Sequence, residues 1–334
     1  MLYISTRNKL DSYTAHRALH DYSAPDGGML VPFYLSQLEE DVLAELKKKS
    51  FSENVAQILN MFFSCHLNSW DVEFSVGRYP YRIEELNQRI IVAELWHNIQ
   101  DSYKHFVQSI YEKISAERTQ KEPPVWVQIA VEIAVLFGLC SELQKRGIES
   151  FDIAVDATDF LYPISAWYAR RMGLPVNCII CGCENDSGIW DFLQRGEFMV
   201  NSSEKKYGCL ELLIYGTLGF EQTQVFVEAC HLSKAYQLNT EELETLNQGY
   251  FAAVVGKKRI ETVINSMYRT NNYVADPATA ISCGALQDFR AQTGENRHTL
   301  LISRCNPMLH TNEITAAIGC SEDTLKTLIR RSGE

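Results

Sequence analysis

The sequence predicts an α/β fold: an open, twisted and mainly parallel sheet with helices on both faces, preceded by a helical N-terminal domain. Short apolar runs that favour buried strands recur at residues 90–92, 151–155, 176–180 and 300–302. Stretches with helical spacing of apolar residues alternate with these runs. A helical pattern over residues 38–63 precedes all of them. The alternation predicts strand–helix units, and therefore parallel strand pairing.

Composition indicates a soluble globular protein. The 334 residues are 46% hydrophobic and 22% charged, which is enough to bury a sizeable core. The net charge of -11, without any cluster of basic and aromatic residues, argues against a nucleic-acid partner. The most apolar helix candidate is interrupted by Gln128 and Glu132, so we expect no membrane span. Ten cysteines at irregular spacings indicate reduced thiols and a cytoplasmic location.

The N-terminal region contains a turn signal and several helix signals. Residues 15–20 have a helical pattern, and residues 25–28 (Pro-Asp-Gly-Gly) are typical of a tight turn. Within residues 38–63, Ser52 is the expected helix N-cap. We place the domain boundary so that residues 1–85 form the N-terminal domain and residues 86–334 form the α/β domain.

Lys104 lies at a predicted strand-to-helix junction. The apolar run at 90–92 gives way to a polar turn, and helical spacing begins at Tyr103. A lysine held there and partly desolvated has a lowered pKa and can act as a nucleophile. A solvated surface charge is the competing interpretation.

After the Lys104 helix, residues typical of helix ends predict the next helices. A polar linker at residues 116–124 leads to a helix over 125–144, and the helix at 164–172 is stopped by Gly-Leu-Pro. Asp276 is the expected N-cap of a later helix, with proline at its first position. The cysteines of residues 178–183 fit either a buried strand or soft metal ligands, and the strand is favoured.

Residues 5–7 (Ser-Thr-Arg) and 26–28 (Asp-Gly-Gly) are two motifs of the N-terminal region. In their order and separation they resemble the N-terminal signature of threonine synthases. The seven-residue spacing from His97 to Lys104 is similar to that of the family segment whose lysine binds pyridoxal phosphate. The chain is therefore identified as a divergent and shortened member of this fold type II family, and Lys104 is the implied cofactor lysine.

The resemblance also marks where the cofactor pattern is changed. The family's glycine-rich loop, which cradles the cofactor phosphate, falls on Thr158, Asp159 and Phe160, of which only the phenylalanine is kept. The family's threonine beside the pyridine nitrogen falls on Arg304. Side chains in the loop crowd a phosphate, and an arginine weakens the ring as an electron sink. The linker at 116–124 stands in place of most of the family's small domain.

Three functions follow from this resemblance. The first is a pyridoxal phosphate-dependent lyase acting on O-phosphohomoserine through Lys104. The second is a non-catalytic binding or scaffold subunit, with a second copy or another protein covering the exposed cleft. The third is a cleft repurposed for an amino acid or another small anionic metabolite, lined by Lys104, His97, His105, Asp159 and Arg304. The changed loop favours a degraded cofactor site that does not work as a threonine synthase.

Overall fold

The computed structural model describes the chain apart from residues 36, 97–102, 119–120, 185–187, 201–203 and 332–334 and the side chains of 204–206 and 330–331. The N-terminal part opens with a three-stranded antiparallel sheet in the order β2-β1-β3. Its elements are β1 (Leu2–Ser5), β2 (Ser12–Thr14), α1 (Ala15–His20), β3 (Leu30–Pro32), α2 (Glu40–Leu46), α3 (Phe51–Phe63) and α4 (Ser69–Val76).

The helices predicted over residues 38–63 are confirmed, but two details of the N-terminal part differ from expectation. The region is not purely helical, because extended apolar residues of β1 pair with β2 and β3. The N-cap of α3 is Ser50 and not Ser52. The Ser50 hydroxyl accepts a hydrogen bond from the Glu53 N–H (3.3 Å), while the Glu53 carboxylate accepts one from the Ser50 N–H (2.8 Å).

The central sheet has six strands in the order β10-β7-β6-β11-β5-β4. All neighbours pair in parallel except the β4–β5 pair, so the mainly parallel sheet is confirmed. A separate pair is formed by β8 and β9. The strands are β4 (Arg82–Asn87), β5 (Ile90–Glu94), β6 (Phe151–Asp156), β7 (Val176–Cys183), β8 (Glu197–Met199), β9 (Ala235–Gln237), β10 (Tyr250–Val254) and β11 (Thr299–Ser303).

Helices cover both faces of the sheet, as predicted. Alternate strand residues face opposite sides: Ile153 packs into one apolar cluster and Ala154 into the other. The helices are α5 (Tyr103–Ser115), α6 (Val125–Lys145), α7 (Leu161–Arg171), α8 (Ile189–Arg195), α9 (Glu204–Leu218), α10 (Phe220–Leu232), α11 (Thr240–Leu246), α12 (Lys257–Asn271), α13 (Pro277–Thr293), a 3₁₀ turn (Pro307–His310), α14 (Thr311–Ile318) and α15 (Glu322–Arg331). The predicted cap of α13 is confirmed, since the Asp276 carboxylate accepts from the Ala278 N–H at 3.0 Å.

The helix α6 lies at the centre of the larger apolar cluster. It is long and apolar enough to cross a membrane, yet 89% of its apolar window is buried inside the protein, so the core accounts for its composition. Residues 178–183 lie in the buried strand β7, as favoured from the sequence. The predicted domain boundary after residue 85 falls inside β4, which pairs with β5 in the central sheet.

Candidate functional site at the carboxyl edge of the sheet

The parallel strands β5, β6 and β11 end at the same edge of the central sheet. Asp156 is the last residue of β6, and Arg304 directly follows β11. In open α/β sheets, ligands bind beyond the carboxyl ends of the strands. Arg304, and the loop after β6 that carries Thr158, Asp159 and Phe160, are therefore brought to the expected edge.

Arg304 and Asp156 form a largely buried ion pair at this edge. The Arg304 Nη2 lies 3.3 Å from Asp156 Oδ2, and the guanidinium carbon lies 5.3 Å from the centre of the Tyr162 ring. Burial raises the pKa of Asp156, and the charge of Arg304 partly offsets this rise. Burial lowers the pKa of Arg304, but the carboxylates of Asp159 and Asp156 outweigh burial and raise it. The guanidinium is thus neutralised by side chains of its own chain.

The loop between β6 and α7 is held by its own carboxylates. Asp156 Oδ1 accepts hydrogen bonds from the Thr158 N–H (3.2 Å) and the Thr158 hydroxyl (2.5 Å). Asp159 Oδ1 accepts from the Leu161 N–H (3.1 Å), which is the first residue of α7. Backbone N–H groups at a helix N-terminus are the groups that commonly bind an external anion. Here a carboxylate oxygen of the same loop accepts from one of them, the Leu161 N–H, and another accepts from the Thr158 N–H shortly before the helix.

The buried side chain of Phe160 attaches this loop to the core. Its side chain is fully buried, with its ring centre 6.1 Å from that of Tyr250, and its backbone adopts the left-handed conformation at φ 58°. A bulky residue seldom adopts this conformation, so the surrounding packing must hold it. Its N–H donates to the Ala157 carbonyl at 3.1 Å. Phe160 therefore fixes the shape of the loop, whereas Thr158 is exposed.

Sequence reasoning missed three buried polar residues beside this edge. The rings of Tyr103 and Tyr162 lie 6.0 Å apart, and their hydroxyls are buried without a hydrogen-bond partner in the described part of the chain. Glu132 is also buried and accepts a hydrogen bond from the Ser165 hydroxyl at 2.7 Å. The signal for Glu132 was present, because a carboxylate in the middle of an apolar helix must be buried with a partner.

Lys104 is the second residue of α5, so the predicted junction is confirmed, and of the two interpretations of its side chain the structure agrees with the solvated surface charge. Its side chain is 78% exposed, and its Nζ pairs with Glu122 Oε1 at 2.8 Å. Only the backbone is near the site: the preceding Tyr103 N–H donates to the Arg304 carbonyl at 3.2 Å. His105 is exposed as well, and His97 lies outside the described residues. The side chains of Lys104 and His105 therefore face solvent, whereas Arg304 is largely buried.

A second polar cluster joins the N-terminal sheet to α9, and we call it the signature cluster: Ser5, Thr6, Arg7, Asp26, Gly28 and Glu211. The Arg7 guanidinium donates to Glu211 through Nε (3.1 Å) and Nη2 (2.7 Å), and the Thr6 hydroxyl donates to the same carboxylate. Glu211 is completely buried. The pair links parts of the chain that are 204 residues apart.

The remaining residues of the signature cluster stabilise the turn at residues 25–28. Asp26 Oδ1 accepts from the Ser5 hydroxyl (2.8 Å) and from the Gly28 N–H (2.9 Å). A β-carbon on Gly28 would lie only 2.2 Å from Ser5 Oγ, so only glycine fits this position. The Asp-Gly-Gly turn and the Ser-Thr-Arg run are thus one structural unit.

Comparison with known proteins relates the chain to threonine synthases. The family model for the threonine synthase N terminus matches residues 2–77. Human threonine synthase-like 1 is 24% identical over 179 residues, which cover 47% of this chain and 23% of that protein. The chain is thus similar to threonine synthases as a divergent relative, and its N-terminal part matches their family model. The resemblance predicted from the sequence is therefore confirmed.

Solved threonine synthases share the fold of this chain. A pyridoxal phosphate-bound threonine synthase from Brucella melitensis superposes with a TM-score of 0.84 at 14% identity, covering 99% of this chain and 94% of that one. The yeast threonine synthase gives a TM-score of 0.82 at 14% identity, with coverages of 96% and 90%. The sequence matches to the curated relatives are shorter, since human threonine synthase-like 2 matches over 113 residues, or 23% of its length.

Proposed function

We propose that this threonine synthase-like protein keeps the family fold without pyridoxal phosphate chemistry, and acts by binding rather than by catalysis. The observation that carries the proposal is the internal charge balance of the β6–α7 loop. Asp156 neutralises Arg304 and accepts a hydrogen bond from the Thr158 N–H within the loop, while Asp159 accepts one from the Leu161 N–H at the start of α7. By resemblance, this loop is the one that holds the cofactor phosphate in the family.

The residues present do not fit the cofactor phosphate. A phosphate dianion would have to displace the Asp156 and Asp159 carboxylates from the Thr158 and Leu161 N–H groups. Both carboxylates would then lie beside the dianion, and like charges at such separations repel strongly where water is scarce. A single guanidinium, Arg304, cannot balance all of these negative charges.

The position of the lysine supports the same proposal. Schiff-base lysines rely on desolvation or a neighbouring cation, which lowers the pKa and frees the electron pair. Lys104 has neither feature: its side chain is 78% exposed and its partner is the carboxylate of Glu122. We therefore derive no catalytic step through Lys104.

An absorbance scan with added pyridoxal phosphate, before and after borohydride reduction, tests the proposal. The expected result is the same spectrum for the wild type and for Lys104→Ala, with no protein-bound band after reduction and desalting. Lys113→Ala serves as the matched control, since Lys113 lies on the same helix and also pairs with a carboxylate, at 2.7 Å from Asp71. A reduced adduct that is present in the wild type and in Lys113→Ala, but absent in Lys104→Ala, would overturn the proposal.

A further inference from the structure

A small cavity lies at the amino end of the central sheet, between the β4–β5 hairpin and the helices α12 and α13. Its volume is about 110 Å³. Leu86 and Ile90 line it from the hairpin, and Arg290 lines it from α13. Ile90 is the first residue of β5, so the cavity is at the opposite end of the strands from Arg304. It is therefore separate from the candidate site at the carboxyl edge.

The Arg290 guanidinium is only partly used by the protein. Its Nη2 lies 3.2 Å from the Arg297 carbonyl oxygen, and 3.5 Å from both the Arg89 carbonyl oxygen and Thr299 Oγ1. A guanidinium has N–H donors on every one of its nitrogens. The donors on Nε and Nη1 meet no acceptor within the described part of the chain. They are therefore available to a ligand in the cavity.

The positive charge of Arg290 is not balanced by the described residues around it. Arg290 forms no ion pair with any of them, and Asp288, on the same helix, pairs instead with Arg259 at 2.6 Å. Burial lowers the pKa of Arg290, and the charge of Arg89 adds to this lowering, which Asp152 opposes only in part. A partly buried charge without a partner is costly. A bound anion would remove this cost.

We propose that this cavity binds a small monocarboxylate, with its carboxylate on Arg290 and a short apolar body against Leu86 and Ile90. Hydrogen bonds from a guanidinium to a carboxylate are charge-assisted and strong. The cavity is lined by one cation, which balances one negative charge. Its apolar walls favour a carbon chain over a fully hydrated phosphate dianion.

The size of the cavity limits the length of the ligand. A cavity of about 150 Å³ holds a molecule of the size of benzene, so the smaller volume here fits a chain of about three to five carbon atoms. Ser266 and Thr270 of α12 line the cavity and are exposed, and they therefore form its rim. A longer chain has to extend past this rim into water, where it gains nothing from the cavity.

Isothermal titration calorimetry of the full chain with sodium butyrate tests the proposal. We expect a dissociation constant of about 1 mM. Arg290→Gln should weaken binding at least about tenfold, because the charged donor is lost. Arg269→Gln is the matched control, since Arg269 is an exposed arginine on α12 that does not line the cavity. Butyrate that does not bind the wild type, or that binds Arg290→Gln equally well, overturns the proposal.

A second variant keeps the test decisive if Arg290→Gln does not fold. Ser266→Phe narrows the cavity from its exposed rim and leaves Arg290 in place, so it should also weaken butyrate binding at least about tenfold. Unchanged binding to a folded Ser266→Phe variant would show that butyrate does not occupy this cavity.

The chemistry of the ligand is tested with a series of related probes. Butyramide has the shape of butyrate without its charge and should bind at least about tenfold more weakly. Adsorption to an apolar surface strengthens with every added methylene, whereas the cavity predicts no gain from butyrate to octanoate. A steady gain with chain length, equal binding of butyramide, or tighter binding of inorganic phosphate would refute the proposed ligand class. These results do not depend on whether the carboxyl edge binds pyridoxal phosphate.

Discussion

The signature cluster and the β6–α7 loop both bury an arginine against carboxylates, but they differ in what the arginine connects. In the signature cluster, Arg7 ties the N-terminal sheet to Glu211 of α9. At the loop, Arg304 meets Asp156 at the carboxyl edge of the central sheet. The first cluster keeps the residues of the family pattern, whereas the second replaces them.

The difference between the two clusters illustrates two roles that a sequence motif can have, one in the fold and one in ligand binding. A motif that joins distant parts of the chain is needed for folding, whatever the protein does. A motif that serves a ligand can change once the ligand is no longer used, provided that the buried charges remain paired. The retained N-terminal signature is therefore a sign of shared fold, and the altered loop is the better guide to function.

The largest effect is expected at the signature cluster. Glu211→Ala removes the carboxylate that pairs with Arg7 and leaves that guanidinium and the Thr6 hydroxyl without their partner. We expect a loss of about 4 kcal/mol in the free energy of unfolding, measured with urea. Glu221→Ala is the control, because Glu221 is 89% exposed and its nearest ion-pair contact, with Lys9, is 3.9 Å. Equal losses in both variants would contradict a structural role for the cluster.

A smaller loss is expected when Arg304 is replaced. Arg304→Met leaves Asp156 buried without its cation and should cost about 2 to 3 kcal/mol at neutral pH, since 17% of the arginine side chain reaches solvent. The control is Arg297→Met at the other end of β6. Arg297 is 35% exposed and pairs with Asp152 at 3.2 Å, so its loss should be about 1 kcal/mol.

The pH dependence of the free energy of unfolding of Arg304→Met tests whether the loss comes from the Asp156 charge. Burial raises the pKa of Asp156 in the folded protein above its unfolded value of 3.8. The protonated carboxyl therefore contributes fully to stability below pH 3.8, and this contribution is lost as the pH rises through the folded pKa. Removing Arg304 raises the folded pKa further and extends the loss to higher pH. The cost of the substitution, followed by urea unfolding, should therefore grow from about pH 4 to about pH 7. A cost that is independent of pH would mean that packing, not charge, is responsible.

The loop itself can be tested by opening it to an external anion. Asp156→Ala combined with Asp159→Ala frees the Thr158 and Leu161 N–H groups beside Arg304. Inorganic phosphate should then raise the melting temperature of the double variant by a few degrees relative to chloride at equal ionic strength. The wild type should not respond. Adding Arg304→Met to the double variant should abolish the response, and an equal response in the wild type would show that the carboxylates do not close the loop.

The smallest effect is expected at Lys104. Its exposed side chain belongs to neither cluster, and a surface ion pair such as that with Glu122 contributes at most about 1 kcal/mol. Lys104→Ala should therefore melt within error of the wild type. Phe106→Ala, on the same helix but 1% exposed, should lose about 3 kcal/mol or more. A large loss for Lys104→Ala would indicate a role that its position in the structure does not explain.

The fold was predictable because its signals are local. Buried parallel strands are continuous apolar runs, and Asp276 followed by proline marks a helix start within two residues. The α3 cap shows how a local signal can be misread: Ser50 and Ser52 are equally good caps by residue type, and only Glu53, three residues after Ser50, decides between them.

The candidate site was less predictable because its contacts are tertiary. Arg304 and Asp156 are 148 residues apart, so their charges could be read from the sequence but their pairing could not. The direction of the Lys104 side chain depends on Glu122, which belongs to the linker before α6. A side chain at a helix start can turn toward the sheet or toward solvent, and no local pattern distinguishes the two.

The distance along the chain between Arg7 and Glu211 has a consequence for synthesis on the ribosome. A chain grows by about 5 to 20 residues per second, so about 10 to 40 seconds pass between the synthesis of Arg7 and that of Glu211. During that interval the N-terminal sheet carries a guanidinium and a hydroxyl whose final acceptor does not yet exist. The contacts of Thr6 and Arg7 with Glu211 can therefore form only late in translation, and a nascent chain halted before α9 cannot complete them.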